Sequence, residues 1–237
     1  MGGLLQSQVK DRLAKIILFG SVARGAPKEE SDVDLLIFGT EGLDEIRDLC
    51  ADLRMETYFK YSESVEPLIY PLEALRQGSY FLHRAVNHGE EVYSMKEEEL
   101  RIKEAHNLVR LGEEYMEGAE DALDSGHLRI AINAAYNAAE LCAKGLLLLE
   151  MDELPTSHGG IVGEFSCLSM KAGKVPKELG RRLNRGLELR NKARYDYDFN
   201  AVVSEGDAIR LIELARRMGE LLAEKSRRAR LSSGQTQ

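Results

Sequence analysis

Cysteine is scarce and unpaired in this chain: Cys50, Cys142 and Cys167 are odd in number, far apart and without a C-x-x-C pair. Such a set excludes a disulfide framework and a zinc site, and it fits a reducing, cytoplasmic compartment. Long apolar runs are missing too. A membrane span needs about 18 consecutive apolar residues, whereas the longest candidate, Leu146 to Leu149, is bracketed by Lys144 and Glu150. No membrane partner is expected. The N-terminus lacks a basic stretch followed by an apolar one, so no secretion signal is visible, and no internal repeat appears. What is present is 43% hydrophobic and 30% charged residues over 237 positions. That suffices for a core in one large or two small domains, and it excludes a disordered tail and a collagen-like fibre.

The net charge of −8 is unevenly spread. Residues 1–98 carry 11 basic and 18 acidic side chains, whereas residues 99–237 carry 21 and 22. An acidic first half does not grip a polyanion unaided, but it suits a divalent metal. In the second half, Lys171 to Arg194 has nine basic residues against Glu178 and Glu188. That run is either a phosphate or RNA contact or a solvated helix face balanced by acidic neighbours.

Periodicity divides the chain near residue 97. Before it, short apolar runs at 14–19, 33–38 and 65–70 read as strands, with Pro67 favouring an edge position for the third. Leu43 to Leu53, with Leu43, Ile46, Leu49, Cys50 and Leu53 at helical spacing, reads as a helix. Short helices are expected at 72–76 and 80–86, and a last strand at 91–94. After residue 97 only helical patterns remain, at 100–125, 127–149, 161–172, 177–194 and 205–229. The expected architecture is an α+β domain over 1–96 with a mixed sheet, then an all-α, up-and-down bundle over 97–229, with 230–237 a disordered tail. His83, His88, His106 and His127 are scattered and receive no role.

Two short motifs carry chemistry. Gly20-Ser21-Val-Ala-Arg24-Gly25 follows a strand and opens a helix, where free backbone N–H groups attract phosphate, the Ser21 hydroxyl adds a bond and Arg24 braces or reaches the same anion. Asp32 and Asp34, two apart on a strand, point to one face and suit Mg²⁺, which shares hard oxygen ligands with substrate phosphates. Two metals there would position the attacking and leaving oxygens of an in-line displacement.

Together, Ala14-Lys-Ile-Ile-Leu-Phe-Gly-Ser-Val-Ala-Arg-Gly25 and Ser31-Asp-Val-Asp-Leu-Leu-Ile-Phe38 resemble the signature of the minimal nucleotidyltransferases of the DNA polymerase beta-like superfamily. The resemblance implies a mixed sheet flanked by helices and transfer of a nucleoside monophosphate from ATP or another NTP, with release of pyrophosphate. By position it implies that Gly20 and Ser21 bind the triphosphate, with Arg24 alongside, and that Asp32 and Asp34 bind Mg²⁺. It also implies a third carboxylate on a following strand. Glu66 is in the right place, although longer than the usual Asp and next to Pro67; the alternative is a solvent-facing edge glutamate.

The second half resembles the HEPN domains, on Ala131-Ile-Asn-Ala-Ala-Tyr136-Asn-Ala-Ala-Glu140, Lys144-Gly-Leu-Leu-Leu, Thr156-Ser-His158-Gly-Gly and Leu189-Arg190-Asn191-Lys-Ala-Arg-Tyr195-Asp-Tyr197. Some HEPN domains are metal-independent ribonucleases with an R-x4-H-x-Y motif. Here Arg190 is followed by Tyr195 in the histidine position, and tyrosine titrates near pH 10, too high for a proton shuttle at neutral pH. That disfavours nuclease activity unless the fold brings His158 close. Arg190 and Asn191 remain candidates to bind a phosphate. The resemblance further implies a toxin–antitoxin setting, in which the transferase adds AMP to the motif tyrosine. Tyr197 matches that acceptor and Tyr195 lies two residues away, so the expected acceptor is a tyrosine of this chain or of a partner. A homodimer through the alanine-rich helices is implied by the same analogy. The competing expectations are an antibiotic-modifying nucleotidyltransferase, whose cationic drug suits the acidic first half, and a nucleotide- or RNA-binding module.

Overall fold

In a computed structural model the described residues are 2–26, 31–75, 79–151, 153–170, 174–195 and 203–233. They form two compact units, divided at Leu100/Arg101.

The first unit is built on four strands, β1 (Leu13–Phe19), β2 (Val33–Gly39), β3 (Val65–Pro71) and β4 (Glu90–Ser94), in the order β3-β2-β1-β4. β1 runs antiparallel to β2 and β4, and β2 runs parallel to β3, so the sheet is mixed. Its helices are α1 (Gly2–Val9), the four-residue α2 (Gly20–Ala23), α3 (Leu43–Tyr61) and α4 (Tyr80–His88). Alternation of side chains along the strands gives the sheet two apolar faces. Ile16, Leu35 and Ile37 pack with Leu5, Ile46, Cys50 and Leu53 on the side of α1 and α3. Ile17, Leu36 and Phe38 pack with Leu72, Leu82 and Ala85 on the side of the 3₁₀ turn at 72–75 and α4. Among the described residues β3 pairs only with β2, and Pro67 therefore sits on an edge strand that tolerates the missing N–H.

The structure differs from the sequence reading at two helices. α1 was not expected, and its Leu5 is fully buried. α3 runs eight residues past the expected end at Leu53; a periodic stripe is visible only where a helix buries several side chains, and the end of α3 leaves Met55, Tyr58, Phe59 and Tyr61 exposed.

The second unit is all-α: α5 (Glu97–Asp124), whose first turn precedes the division, α6 (Leu128–Leu148), α7 (His158–Met170), α8 (Lys177–Tyr195) and α9 (Glu205–Ser233). α6 is its centre and packs against α7, α8 and α9. Ala131, Ala135, Ala138, Ala139 and Ala143 are buried along it, and these small side chains allow close helix approach. Gly145 marks the closest point: a Cβ there would fall 2.4 Å from the Leu222 side chain. At the start of α9, Asp207 N–H donates to the Ser204 hydroxyl (3.2 Å) and Ser204 N–H to the Asp207 carboxylate (3.0 Å), a reciprocal capping box. The backbone donor of Ser204 is the main reason that the Asp207 carboxyl lies below the usual aspartate range. α9 continues to Ser233, four residues beyond the expected end. Positions 230–233 of the expected tail are thus helical, because the Leu222 and Ser226 side of α9 is buried and carries the helix onward; 234–237 lie outside the described residues.

Candidate functional site

β1 ends at Phe19 and the chain turns at Gly20, whose φ of +78° lies in the left-handed region. The turn brings its α-carbon against β2 so closely that a Cβ would fall 1.9 Å from Asp34 Oδ2 and 2.9 Å from its carboxyl carbon. Only glycine satisfies both the conformation and the space. α2 is a single four-residue turn, so the helix dipole expected at Ser21 is small. Any anion held there would depend on the backbone amides of the turn and on Arg24. The turn is closed by bonds from Gly25 N to Val22 O (3.0 Å) and from Ala26 N to Ser21 O (3.1 Å).

Phe19, Asp34 and Glu66 are register partners across β1, β2 and β3, so they form one row on the face that α4 also covers. The row behind it, Ile17, Leu36 and Leu68, is apolar. Asp34 and Glu66 therefore stand where the core on this face ends. Asp32 lies two residues before Asp34 and is half-buried, as is Asp34, whereas Glu66 is exposed. Burial raises the Asp34 pKa above the usual aspartate range, the neighbouring charge of Asp32 raises it further, and Arg24 lowers it in part. The structure thus brings Gly20, Arg24, Asp32 and Asp34 together and sets Glu66 beside them.

Among the described residues, no three His, Cys, Asp or Glu side chains form a metal-binding group. The pair fits Mg²⁺ chemically: two hard oxygen donors whose mutual repulsion a cation relieves, with room for substrate phosphates and water to complete the shell.

Sequence reasoning missed the wall opposite. Tyr80, Phe81, Arg84, Ala85 and His88 of α4 line a cavity of about 570 Å³ together with Phe19, Gly20 and Arg24. The signal available was the spacing of Tyr80, Arg84 and His88, four residues apart on one helix face.

In the second unit, the fold does bring His158 to Arg190. Glu140, nearly buried, accepts a bond from Lys144 Nζ (2.9 Å) and pairs with His158 Nδ1. His158 Nε2 lies 3.3 Å from Arg190 Nη2, and Arg190 Nη1 donates to Asn191 Oδ1 (3.2 Å). With Nδ1–H donated to Glu140, the Nε2 lone pair is free to accept from arginine. Arg190 is only 4% exposed, stands 5.9 Å from the Tyr136 ring centre and has no partner for its buried Nε among the described residues. Burial raises the Glu140 pKa, but the bonds from Lys144 and His158 outweigh it and hold the carboxyl below the usual range. The same burial, with Glu140 adjacent, pushes the Tyr136 hydroxyl far above the ordinary tyrosine value. Tyr195 is exposed, with the Arg194 guanidinium 5.4 Å over its ring; Tyr197 lies outside the described residues.

The basic run is less continuous than its sequence. Lys174 pairs with Glu150, Arg182 with Glu213 (3.7 Å), and Arg190 is buried. Lys171 lies outside the described residues.

Residues 5–98 match the family model "Polymerase beta, Nucleotidyltransferase", and residues 105–226 match the HEPN domain. The chain belongs to the polymerase beta-type nucleotidyltransferases and carries a HEPN domain in the same polypeptide. Among curated relatives from Methanocaldococcus jannaschii, the putative protein adenylyltransferase MJ0604 is 50% identical over 52 residues, 22% of this chain and 52% of that protein. The chain thus spans about half the length of that relative. The putative protein adenylyltransferase MJ0141 is 35% identical over 35% of this chain and 83% of its own length. The putative toxin MJ0142 is 29% identical over 41% of this chain and 67% of its own. No helix among the described residues is long and apolar enough to cross a membrane.

Proposed function

We propose that this chain transfers AMP from ATP to a protein tyrosine, its own or a partner's, with Mg²⁺ at Asp32 and Asp34. The observation that carries the reading is the packing of Gly20 on Asp34, which sets a phosphate-binding turn directly against a pair of carboxylates. The names of two relatives as putative protein adenylyltransferases favour a protein acceptor over a drug. Asp32 and Asp34 would hold the cation, which when bound offsets negative charge on the transferred phosphoryl group. The amides that follow Phe19 and the Arg24 guanidinium hold the polyphosphate. The acceptor oxygen forms its bond to the α-phosphorus while the bond from that phosphorus to the bridging oxygen breaks, and the electron pair leaves with pyrophosphate. Glu66, beside Asp34 in register and open to solvent, accepts the proton of the attacking hydroxyl. Tyr195 and Tyr197 are the candidate acceptors on this chain.

Intact-protein mass after incubation with ATP and Mg²⁺ tests this. Wild type gains one AMP or more, and Asp32→Asn/Asp34→Asn gains none. Labelling that survives Tyr195→Phe/Tyr197→Phe shifts the acceptor elsewhere, and labelling that survives the double aspartate change sinks the assignment of the site. The pH profile carries a second expectation. Because the Asp34 pKa is raised, activity declines on the acid side at a higher pH than an ordinary aspartate would give. Substituting Asp32 by Asn removes the like charge and moves residual Mg²⁺-dependent nucleotide binding to a lower acid limb.

A further inference from the structure

α4 presents a face that the carboxylate site alone does not use. Tyr80, Arg84 and His88 are all exposed and recur every four residues, so they stack along one side of the helix. Leu82 and Ala85 bury its other side against the sheet. The exposed stripe looks into the cavity of about 570 Å³ that also contains Phe19, Gly20 and Arg24. The floor of the cavity is apolar, with Phe81 set edge-on against Phe19 at 5.7 Å and 81°. Above that floor stand two guanidinium groups, Arg24 and Arg84. Neither is in an ion pair with a carboxylate among the described residues. The Arg84 guanidinium lies 5.9 Å over the Tyr80 ring, which limits its rotamers and leaves its N–H edge free for a ligand.

Gly20 touches the Asp34 carboxylate, and Asp32 and Arg24 stand close to that same carboxylate. The two arginines border the cavity that extends from Gly20 towards α4. A ligand beside Gly20 therefore meets guanidinium groups as well as carboxylates. A nucleoside triphosphate whose α-phosphate lies at a cation held by the aspartates has one part rich in negative charge, its two terminal phosphates. Planar guanidinium groups bind such oxygens in pairs of parallel hydrogen bonds.

We infer that Arg84, braced on the Tyr80 ring, acts with Arg24 to bind the two terminal phosphates of the nucleotide, those that leave as pyrophosphate. This rests on the nucleotidyltransferase reading and adds α4 to it as a determinant of triphosphate over monophosphate binding. The nucleoside then lies away from α4, and Phe19 and Phe81 form the apolar base of the phosphate pocket.

Calorimetric titration of the full chain with ATP, AMP and inorganic pyrophosphate in Mg²⁺ separates the possibilities. Arg84→Ala is expected to weaken ATP and pyrophosphate by about tenfold or more, the loss of one charge-assisted contact, and to leave AMP within about twofold. Arg84→Lys, which keeps the charge without the fork, falls between. Arg84 is exposed on the helix surface, so both variants retain the fold, and their circular dichroism checks this. Wild-type affinity for pyrophosphate in Arg84→Ala overturns the inference and leaves the transferase reading intact. Equal weakening of AMP and ATP also overturns it, by assigning Arg84 to the nucleoside end. A wild-type chain that binds no ATP overturns the transferase reading itself, and the inference with it.

Discussion

Alanine at position 20 is expected to abolish nucleotidyl transfer more completely than so small a change suggests. The added methyl would lie 1.9 Å from Asp34 Oδ2, far inside van der Waals contact, and the residue would also have to hold φ at +78°. Left-handed backbone costs an ordinary L-residue about 1–2 kcal/mol. The steric conflict can be relieved only by moving the Asp34 carboxylate or the turn itself. Either displacement separates the amides proposed to bind phosphate from the carboxylates proposed to hold the metal, and a misplacement of about 1 Å can cost about a hundredfold in rate. The expected result is at least that loss of AMP transfer by Gly20→Ala, with a drop in melting temperature that marks the strain. The Asp34→Gly/Gly20→Ala double variant tests the cause. With the carboxylate gone the overlap disappears, so the steric part of the stability loss should recover, the left-handed strain of about 1–2 kcal/mol remaining, while activity stays absent. Full activity in Gly20→Ala would falsify the close-approach account.

The second large effect is expected in the helical unit. Glu140 is the anion on which Lys144 and His158 converge, and Arg190 is bound to His158 behind them. Removing one partner from a buried charged network costs about 3–5 kcal/mol, because the remaining charge is left uncompensated. Lys144 and His158 are partly exposed and can turn to water, but Arg190 at 4% exposure cannot. Glu140→Ala is therefore expected to lower unfolding stability by about 3 kcal/mol, at the low end of that range. Glu140→Gln should cost less, since the amide keeps the shape and an acceptor. The pH dependence has a definite sign. The Glu140 pKa is lowered in the folded state, so its contribution is complete above the unfolded carboxylate value and is lost as pH falls through the lower folded value. Denaturant midpoints measured on acidification should converge for wild type and Glu140→Gln. A constant gap down to the lowest pH would show that the carboxylate contributes by packing rather than by charge.

Much of the first unit was legible because its central strands, β1 and β2, are buried on both faces. Short apolar runs such as Ile16 to Phe19 and Leu35 to Phe38, each bounded by turn residues, fit the inside of such a sheet, and the Gly-Ser and Asp-x-Asp motifs stand at the ends of those runs. The edge position of β3 followed from Pro67, which lacks the N–H that an inner strand would need. The last turns of α3, which leave Met55, Tyr58, Phe59 and Tyr61 exposed, left no periodic trace. The same reasoning explains α9, whose polar surface hid the continuation to Ser233.

The sequence by itself determined the family, the succession of a mixed-sheet unit and a helical one, and the placing of Asp32 and Asp34 beside one strand, because these rest on local patterns: period, turn chemistry and short spacing. Tertiary structure alone decided which distant residues meet. Nothing local announces that His158 of α7 reaches Arg190 of α8 over the carboxylate of Glu140 on α6, or that Arg84 of α4 faces Gly20. Those neighbours are chosen by which helix faces bury their apolar side, Ala135 and Ala139 in one case and Leu82 in the other. Burial drives that choice and carries the polar groups with it, and a linear chain does not record the destination.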